Sequence, residues 1–338
     1  MGTEDNPTWE WTAPNELALR SVSRVEVPPG HVEVRIRAIG ICSTDLHIVR
    51  GTFRAGNPPY PLGHELSGTI ETIGAGVPAQ LLGRRVCVDP LVGCGGCAAC
   101  RSGNKQQCPA AAEVGIHLPG GWQRYLNVLA DNVYEIPDSV SFEEATQIEN
   151  IHCCLGGIDK LSIPLGVAAA VFGDGPSGLY FVQLLRAAGA GRVVLVGKRD
   201  RRLAAGKLAG ADETYKAEEA AAKLADDSFP IVIDAAGSPR SIDEAIRVVG
   251  KGGQLLMYGL PDGKVPIDVQ TVIMKDLRLQ GTTNAPHVWR RVIDLLRSGV
   301  VRAAPLISHS FAFEQLDRAV RFAMRDSEEA VKVVVTAP

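Results

Sequence analysis

The chain has 338 residues, of which 46% are hydrophobic and 22% are charged, and its formal net charge is −3. This length favours about two domains, and the ordinary composition argues against a disordered or fibrous protein. The small negative charge argues against a nucleic-acid-binding protein, which usually carries a basic face. Because the sequence has neither a bilayer-length apolar run nor a signal-peptide layout, we expect a cytoplasmic protein with no membrane partner.

The pattern of predicted elements changes at about residue 151. Before it the chain is β-rich and punctuated by Gly and Pro, with an alternating strand at 32–39. After it, apolar strand patterns alternate with helical patterns, which is typical of a doubly wound parallel sheet. The further strands are predicted at 167–172, 192–196, 230–234, 254–258 and 331–335. The helices are predicted at 178–188, 201–209, 287–298 and 313–324.

Four cysteines fall in one short Gly-rich segment with the spacing C-x2-C-x2-C-x7-C: Cys94, Cys97, Cys100 and Cys108. Four thiolates can close a tetrahedron around zinc and leave no position for water, which is typical of a structural site. An iron–sulfur cluster also takes four thiolates and stays open as an alternative, although the ferredoxin spacing differs at its last interval. Cysteines in a cytoplasmic protein favour metal over disulfides.

A second set of candidate ligands precedes this segment. Cys42 and His64 lie about twenty residues apart and offer a thiolate and an imidazole, a pair that suits zinc. Glu65 and Glu149 are candidate carboxylate ligands. Three protein ligands would leave a position for water or substrate, as a catalytic zinc requires. Thr44 and His47 could carry the released proton outward.

These motifs together resemble the medium-chain dehydrogenase/reductase superfamily, in its zinc-dependent alcohol and polyol (sorbitol-dehydrogenase-like) branch. The motifs are Gly-Ile-Cys-x-Thr-Asp-x-His from Gly40, Gly-His-Glu-x-x-Gly from Gly63, the four-Cys segment and a later Gly-x-Gly-x-x-Gly. The resemblance implies an α/β protein with a GroES-like β-rich catalytic domain and a Rossmann cofactor domain. It implies that Cys42 and His64 bind catalytic zinc, with Glu65 as a direct or exchangeable ligand. It also implies a proton relay through Thr44 and His47, and a supporting carboxylate at Asp45.

The segment around Glu149 bears on the substrate, because it matches the sorbitol-dehydrogenase-like pattern at one position and departs from it at the next. Relatives with a Glu near position 149 act on polyols or sugar-like alcohols, whereas liver-type alcohol dehydrogenases have a Cys there. In this chain Asn150 replaces the Pro that follows that Glu in sorbitol-dehydrogenase-like members.

The glycine-rich turn predicts a dinucleotide site. Gly173, Gly175 and Gly178, with Pro176 and Ser177 between them, follow a predicted strand and open a predicted helix. Glycines there allow a tight turn and let the backbone approach a pyrophosphate at the helix N-terminus. A flexible turn without ligand is the alternative.

The next strand ends in Gly197-Lys198-Arg199 instead of the acidic residue that binds the ribose hydroxyls of NAD. Two cations there favour the 2′-phosphate of NADP(H) over NAD(H). A solvated basic turn is the alternative, and Asp200 is a second candidate for ribose. In NADP-dependent relatives a Tyr at the place of Tyr215 also lies near the phosphate, and Lys332 resembles a basic residue that reaches the pyrophosphate.

We therefore expect a catalytic domain from 1–155 and 285–338 and a Rossmann domain from 156–284, with the active site in the cleft between them. The expected enzyme holds two Zn²⁺ per chain and interconverts a secondary alcohol and a ketone with NADP(H). Its expected substrate is a polyol, cyclitol, sugar or amino sugar, and the resemblance includes dehydrogenases that act on sugar-like rings in natural-product biosynthesis. The chain is expected to form a homo-dimer or homo-tetramer. A general secondary-alcohol or aldehyde reductase is one alternative, and a non-catalytic zinc-stabilised binding protein is another.

Overall fold

The computed structural model describes residues 5–53, 55–261, 263–325 and 328–337. The chain divides into two compact units. The first comprises the described parts of Met1–Glu149, Trp289–Arg297 and Ile307–Pro338. The second comprises the described parts of Asn150–Val288 and Ser298–Leu306.

The strands lie in both units and are numbered along the chain. They are β1 (Asp5–Ala13), β2 (Glu16–Ser23), β3 (His31–Ile41), β4 (Glu65–Ile73), β5 (Arg85–Val88), β6 (Leu91–Val92), β7 (Ala112–Glu113), β8 (Tyr125–Leu129), β9 (Val133–Glu135), β10 (Ala168–Phe172), β11 (Arg192–Gly197), β12 (Glu213–Lys216), β13 (Phe229–Asp234), β14 (Val249–Met257), β15 (Arg278–Gly281), β16 (Ile307–Ala312) and β17 (Lys332–Thr336).

The α-helices are numbered in the same way. They are α1 (Ser43–Arg50), α2 (Ala98–Arg101), α3 (Phe142–Ala145), α4 (Ile148–Ile158), α5 (Pro176–Ala187), α6 (Asp200–Leu208), α7 (Ala220–Lys223), α8 (Pro239–Val248), α9 (Val269–Met274), α10 (Trp289–Arg297) and α11 (Leu316–Arg325).

The first unit is built on a mainly antiparallel sheet with the order β16-β17-β3-β4-β5-β9, and β8 also pairs with β3. The alternating side chains of β3 fill its core, because every second residue of a strand faces the same side of the sheet. The pairing of Val333 with Ile41 and of Gly40 with Glu65 brings the ends of β17, β3 and β4 together. This junction lies directly beside Cys42.

The second unit contains a parallel sheet with the order β12-β11-β10-β13-β14-β15. The order reverses direction at β10, which is the arrangement of a doubly wound sheet. The central strands β10, β11 and β13 are almost fully buried and rich in Val, Ile and Ala, as expected for parallel strands covered on both faces. The predicted fold class is confirmed.

The predicted elements are observed with small changes at their ends. The predicted helix at 313–324 begins with a 3₁₀ turn at Phe313–Gln315 and continues as α11, and the predicted helix at 287–298 is α10 after a 3₁₀ turn at Pro286–Val288. No described helix combines the length and apolar composition that crossing a lipid bilayer requires.

Candidate active site

Three of the predicted catalytic-metal ligands converge in the first unit. A ligand atom of each of Cys42, His64 and Glu65 lies within 4.8 Å of the other two. His64 and Glu65 are buried, and Cys42 is half-buried. A thiolate, an imidazole and a carboxylate are the donor types that a zinc ion takes, so this set fits the metal that the sequence predicts.

The local structure explains why Cys42 is held in place. Cys42 is the N-cap residue of α1, and its backbone N–H donates to Asp45 Oδ2 at 2.9 Å. Asp45 Oδ1 lies 3.3 Å from His64 Nδ1, an electrostatic contact without hydrogen-bond geometry. A carboxylate beside one ring nitrogen leaves the other nitrogen as the metal ligand. One buried carboxylate thus orients both of these residues.

Glycines fix the segment that carries His64 and Glu65. A Cβ atom at Gly40 would lie 1.9 Å from Glu65 Oε2, so only glycine leaves space for the carboxylate. Gly63 has a φ of +93°, and a Cβ there would lie 2.3 Å from the Trp122 ring. Trp122 is fully buried, and its backbone N–H donates to the Leu62 carbonyl at 2.9 Å. The glycines of this motif are therefore needed for close packing.

The electrostatics of this group are dominated by buried charges. Burial alone would lower the pKa of His64, but Asp45 and Cys42 raise that pKa well above its usual range. Burial likewise acts to lower the pKa of Lys332, whereas Glu65 raises it. Lys332 Nζ donates to Glu65 Oε1 at 2.6 Å, and both side chains are buried. The resemblance assigned Lys332 to the cofactor pyrophosphate, but here its ammonium lies on Glu65.

Glu149 does not belong to the group of Cys42, His64 and Glu65 among the described residues. It lies on the first turn of α4, and its ligand atom groups with those of His152 and Cys153 on the same helix. Burial raises the pKa of Glu149 to about 8, which His64 partly offsets. Glu149 is therefore close enough to His64 to feel its charge, and its role as a ligand of the catalytic metal stays a prediction.

The predicted proton-relay pair lies on α1. Thr44 and His47 are three residues apart on this helix, which places them on neighbouring positions of one face. His47 Nδ1 lies 3.2 Å from Thr52 Oγ1, and the Thr52 N–H donates to the His47 carbonyl at 2.9 Å. The sequence did not indicate Thr52. Its contact with Nδ1 leaves Nε2 of the His47 ring for other partners.

The four predicted structural ligands also converge. The sulfur atoms of Cys94, Cys97, Cys100 and Cys108 all lie within 4.8 Å of one another, and all four cysteines are free thiols. Zn–S bonds of about 2.3 Å would put tetrahedral sulfurs about 3.8 Å apart, so the set fits zinc. Backbone N–H groups of Cys97 and Gly96 lower the pKa of Cys94 to about 6. Burial raises the pKa of Cys100 to about 11.

The glycine-rich turn follows β10 and opens α5. Gly173 has a φ of +122°, and a Cβ at Gly178 would lie 1.8 Å from the Gly173 carbonyl oxygen. Gly175 is the N-cap of α5 and Pro176 is its first residue. A Cβ at Gly175 would meet no atom within 4 Å, so the space beside the helix N-terminus is open to an anionic ligand. The Ser177 hydroxyl is engaged with Asn150 at 3.0 Å and Tyr258 at 3.3 Å.

A buried carboxylate shapes the turn after β11. Asp174 Oδ2 accepts hydrogen bonds from the backbone N–H groups of Lys198 and Arg199, both at 2.7 Å. Arg199 Nη1 lies 3.7 Å from Asp174 Oδ1. A Cβ at Gly197 would lie 2.4 Å from Asp174 Cβ, so glycine is required for this contact. Only its place between two glycines could have drawn attention to Asp174.

Tyr215, which the resemblance places near the cofactor phosphate, forms its hydrogen bond with a neighbouring carboxylate. Its hydroxyl donates to Glu213, which accepts from Arg192 Nε at 2.8 Å. Arg192 begins β11, so this hydroxyl points away from the strand end that carries Lys198. Lys216 Nζ donates to the Lys198 carbonyl oxygen at 3.2 Å.

Comparison with known proteins places these features in a family. Residues 28–138 match the model of the alcohol dehydrogenase GroES-like domain, and residues 176–298 match that of zinc-binding dehydrogenases. The chain is 30% identical over 332 residues to the sorbitol dehydrogenase of Bacillus subtilis strain 168, covering 95% of this chain and 94% of that protein. The chain belongs to the zinc-dependent alcohol and polyol dehydrogenase branch of the medium-chain dehydrogenase/reductase superfamily.

Two solved structures of this dehydrogenase superfamily cover almost the whole chain. A zinc-binding dehydrogenase of Sinorhizobium meliloti 1021, bound to NADP, has a TM-score of 0.91 and 28% identity, covering 98% of this chain and 99% of that one. An alcohol dehydrogenase of Escherichia coli CFT073 (rspB), in complex with NADH, has a TM-score of 0.90 and 28% identity with the same coverage. This chain is a zinc-type alcohol oxidoreductase. Its neighbours carry different nicotinamide cofactors.

Proposed function

We propose that the protein interconverts a secondary alcohol and a ketone on a polyol, cyclitol, sugar or amino sugar, with NADP(H) as cofactor and two Zn²⁺ per chain. The observation that carries the proposal is the convergence of Cys42, His64 and Glu65 within 4.8 Å. The sorbitol dehydrogenase among its relatives supports a polyhydroxylated substrate.

Each group at the catalytic metal has its own task. Cys42 and His64 would hold the zinc, and Asp45 orients both of them. When bound, zinc polarises the substrate oxygen and the nicotinamide supplies or accepts the hydride. The ion pair with Lys332 holds Glu65 beside Cys42 and His64. The Glu65 carboxylate could therefore leave the Lys332 ammonium and bind the metal, and then return.

The side chains that would transfer the proton lie on α1. The Thr44 hydroxyl would pass the proton between substrate and His47, and His47 Nε2 would exchange it with solvent. Thr52 holds the other nitrogen of that ring at 3.2 Å. Imidazole suits this task because its usual pKa lies near neutrality.

The cofactor preference is part of the proposal. Lys198 and Arg199 follow β11 at the place where NAD enzymes carry an acid, and the turn is held by Asp174. Cations there favour the 2′-phosphate of NADP(H). The zinc-binding dehydrogenase of Sinorhizobium meliloti 1021, which was solved bound to NADP, is consistent with this preference.

Self-association as a homo-dimer or homo-tetramer completes the proposal. β15 is an edge strand of the parallel sheet, and the nearby α9 exposes Val269, Ile273 and Met274. An open edge beside exposed apolar side chains favours association between copies of the chain.

A substrate panel tests the proposed chemistry. Polyols, keto-sugars and simple aliphatic alcohols or ketones are compared by kcat/KM with NADP(H) and NAD(H). We expect the highest kcat/KM for a polyhydroxylated substrate with NADP(H). A uniform preference for simple aliphatic substrates would favour the general reductase instead.

Metal counting tests the catalytic site. Cys42→Ala removes one ligand of an open site, and we expect the zinc content to fall from about two to about one per chain while turnover is lost. The fold should persist, because an open site contributes less to folding than a closed one. Ser43→Ala, on the exposed neighbouring residue, is the matched control. Turnover that survives Cys42→Ala would show that the catalytic site lies elsewhere.

A further inference from the structure

We infer that Lys216 is a specificity-determining residue that binds the 2′-phosphate of NADP(H), and that Asp200 competes with this phosphate for its ammonium group. The inference rests on the NADP(H) preference proposed above and names a residue that the sequence motifs did not indicate. It follows from the way β12 presents its side chains.

Alternation along β12 separates two sets of side chains. Glu213 and Tyr215 are two residues apart and share one face, as their mutual hydrogen bond shows. Lys216 lies on the opposite face and is the last residue of the strand. It pairs in parallel register with Gly197, the last residue of β11. The ammonium of Lys216 therefore lies at the strand ends where a dinucleotide's adenosine ribose binds in a doubly wound sheet.

The contacts of Lys216 place it at the turn after β11. Its Nζ lies 3.2 Å from the Lys198 carbonyl oxygen and 2.7 Å from Asp200 Oδ1. The side chain of Asp200 is 88% exposed, so this ion pair is screened by water and contributes little free energy. A phosphate carries more charge and more acceptor oxygens than a carboxylate, and it can displace Asp200.

The three cations at this turn differ in how strongly their charges are offset or screened. Arg199 faces the buried carboxylate of Asp174, which offsets part of its charge. Lys198 is exposed to solvent. Lys216 is more buried than Lys198, with 27% of its side chain exposed, so its ammonium is the less screened of the two cations.

Binding of adenosine fragments tests the inference without any turnover. Isothermal titration with 2′,5′-ADP and with 5′-AMP, at low ionic strength, compares ligands that differ only in the 2′-phosphate. We expect Lys216→Met to weaken 2′,5′-ADP about tenfold and to leave 5′-AMP within about twofold, because one charge-assisted contact to the phosphate is lost. Lys216→Arg should retain most of the affinity. Lys207→Met, a lysine of α6 whose Nζ donates to the Asp212 carbonyl, is the matched control.

Asp200→Asn should change the affinity for 2′,5′-ADP in the direction opposite to Lys216→Met. Removing the competing carboxylate should tighten 2′,5′-ADP about two- to threefold, an effect that a merely structural role of Lys216 would not produce. If Asp200 bound the ribose hydroxyls instead, Asp200→Asn would weaken 5′-AMP, and that result would overturn the inference.

The wild-type protein separates this inference from the proposed function. If it binds 2′,5′-ADP no better than 5′-AMP, the NADP(H) preference fails and the inference fails with it. The wild-type protein could instead bind 2′,5′-ADP more tightly than 5′-AMP. If Arg199→Ala then reduces this difference in affinity while Lys216→Met does not, the NADP(H) preference stands and the role of Lys216 is refuted.

Discussion

Asp45 shows how one side chain can serve two metal ligands. It accepts a hydrogen bond from the Cys42 backbone and lies 3.3 Å from His64 Nδ1, and it is fully buried. Burying a carboxylate costs free energy unless the carboxylate has partners. Asp45 finds its two partners in Cys42 and His64, so its position depends on both of these residues. The orientation of the candidate catalytic metal site thus depends on a residue that does not itself bind the metal.

Asp45→Asn tests this role at the residue scale. Asparagine keeps the size and one acceptor oxygen but removes the charge beside His64. We expect the affinity for the catalytic zinc to fall about 10- to 100-fold, the range found when supporting partners of metal ligands are changed. Competition with a chromophoric chelator measures it. Glu71→Gln, on the exposed face of β4, is the control, and an unchanged zinc affinity in Asp45→Asn would exclude the positioning role.

At the element scale, the four-cysteine loop is attached to the sheet by an ion pair whose carboxylate is buried. Lys105, within the loop, lies 2.7 Å from Asp89 Oδ2, just after β5, and also donates to Asn132 Oδ1 at 3.3 Å. Burial raises the pKa of Asp89, while Lys105 acts to lower it. With zinc bound to its four thiolates, the loop would have two attachments, the metal and this lysine.

Cys97→Ser tests the first attachment. Cys97 is the N-cap of α2, and its sulfur accepts from the Cys100 N–H at 3.4 Å. A closed four-thiolate site contributes directly to folding, so we expect at least about 2 kcal/mol of lost stability, or a fall of about 4–8 °C in Tm. The zinc content should fall from about two to about one per chain. Ser102→Ala in the same loop should leave Tm within about 1 °C. An unchanged Tm in Cys97→Ser would contradict the structural role.

The register of β12 decides which of its side chains faces the end of β11. Family resemblance aligned Tyr215 with a phosphate contact, but the face on which a side chain lies depends on the register of β12. That register follows from pairing with β11, which is a tertiary contact that a local pattern does not contain. Lys216 is one residue further along and faces the other side.

At the scale of the whole molecule, the fold was predictable because its signals are periodic. Strands buried on both faces appear as continuous apolar runs, and amphipathic helices such as α11 show the 3.6-residue repeat. Cys42, His64 and the four-cysteine set were predictable as groups, since their spacing reflects ligand chemistry. The contact of Lys332 with Glu65 was not, because it joins residues 267 positions apart.

That distant contact has a consequence for biosynthesis. A ribosome makes residues 42 and 65 long before residue 332, and the whole parallel sheet is translated in the interval. Until β17 adds to β3, no ammonium restrains Glu65. In the finished chain this carboxylate is already engaged by an ammonium group. The order of translation therefore makes the last strand the one that completes the surroundings of Glu65.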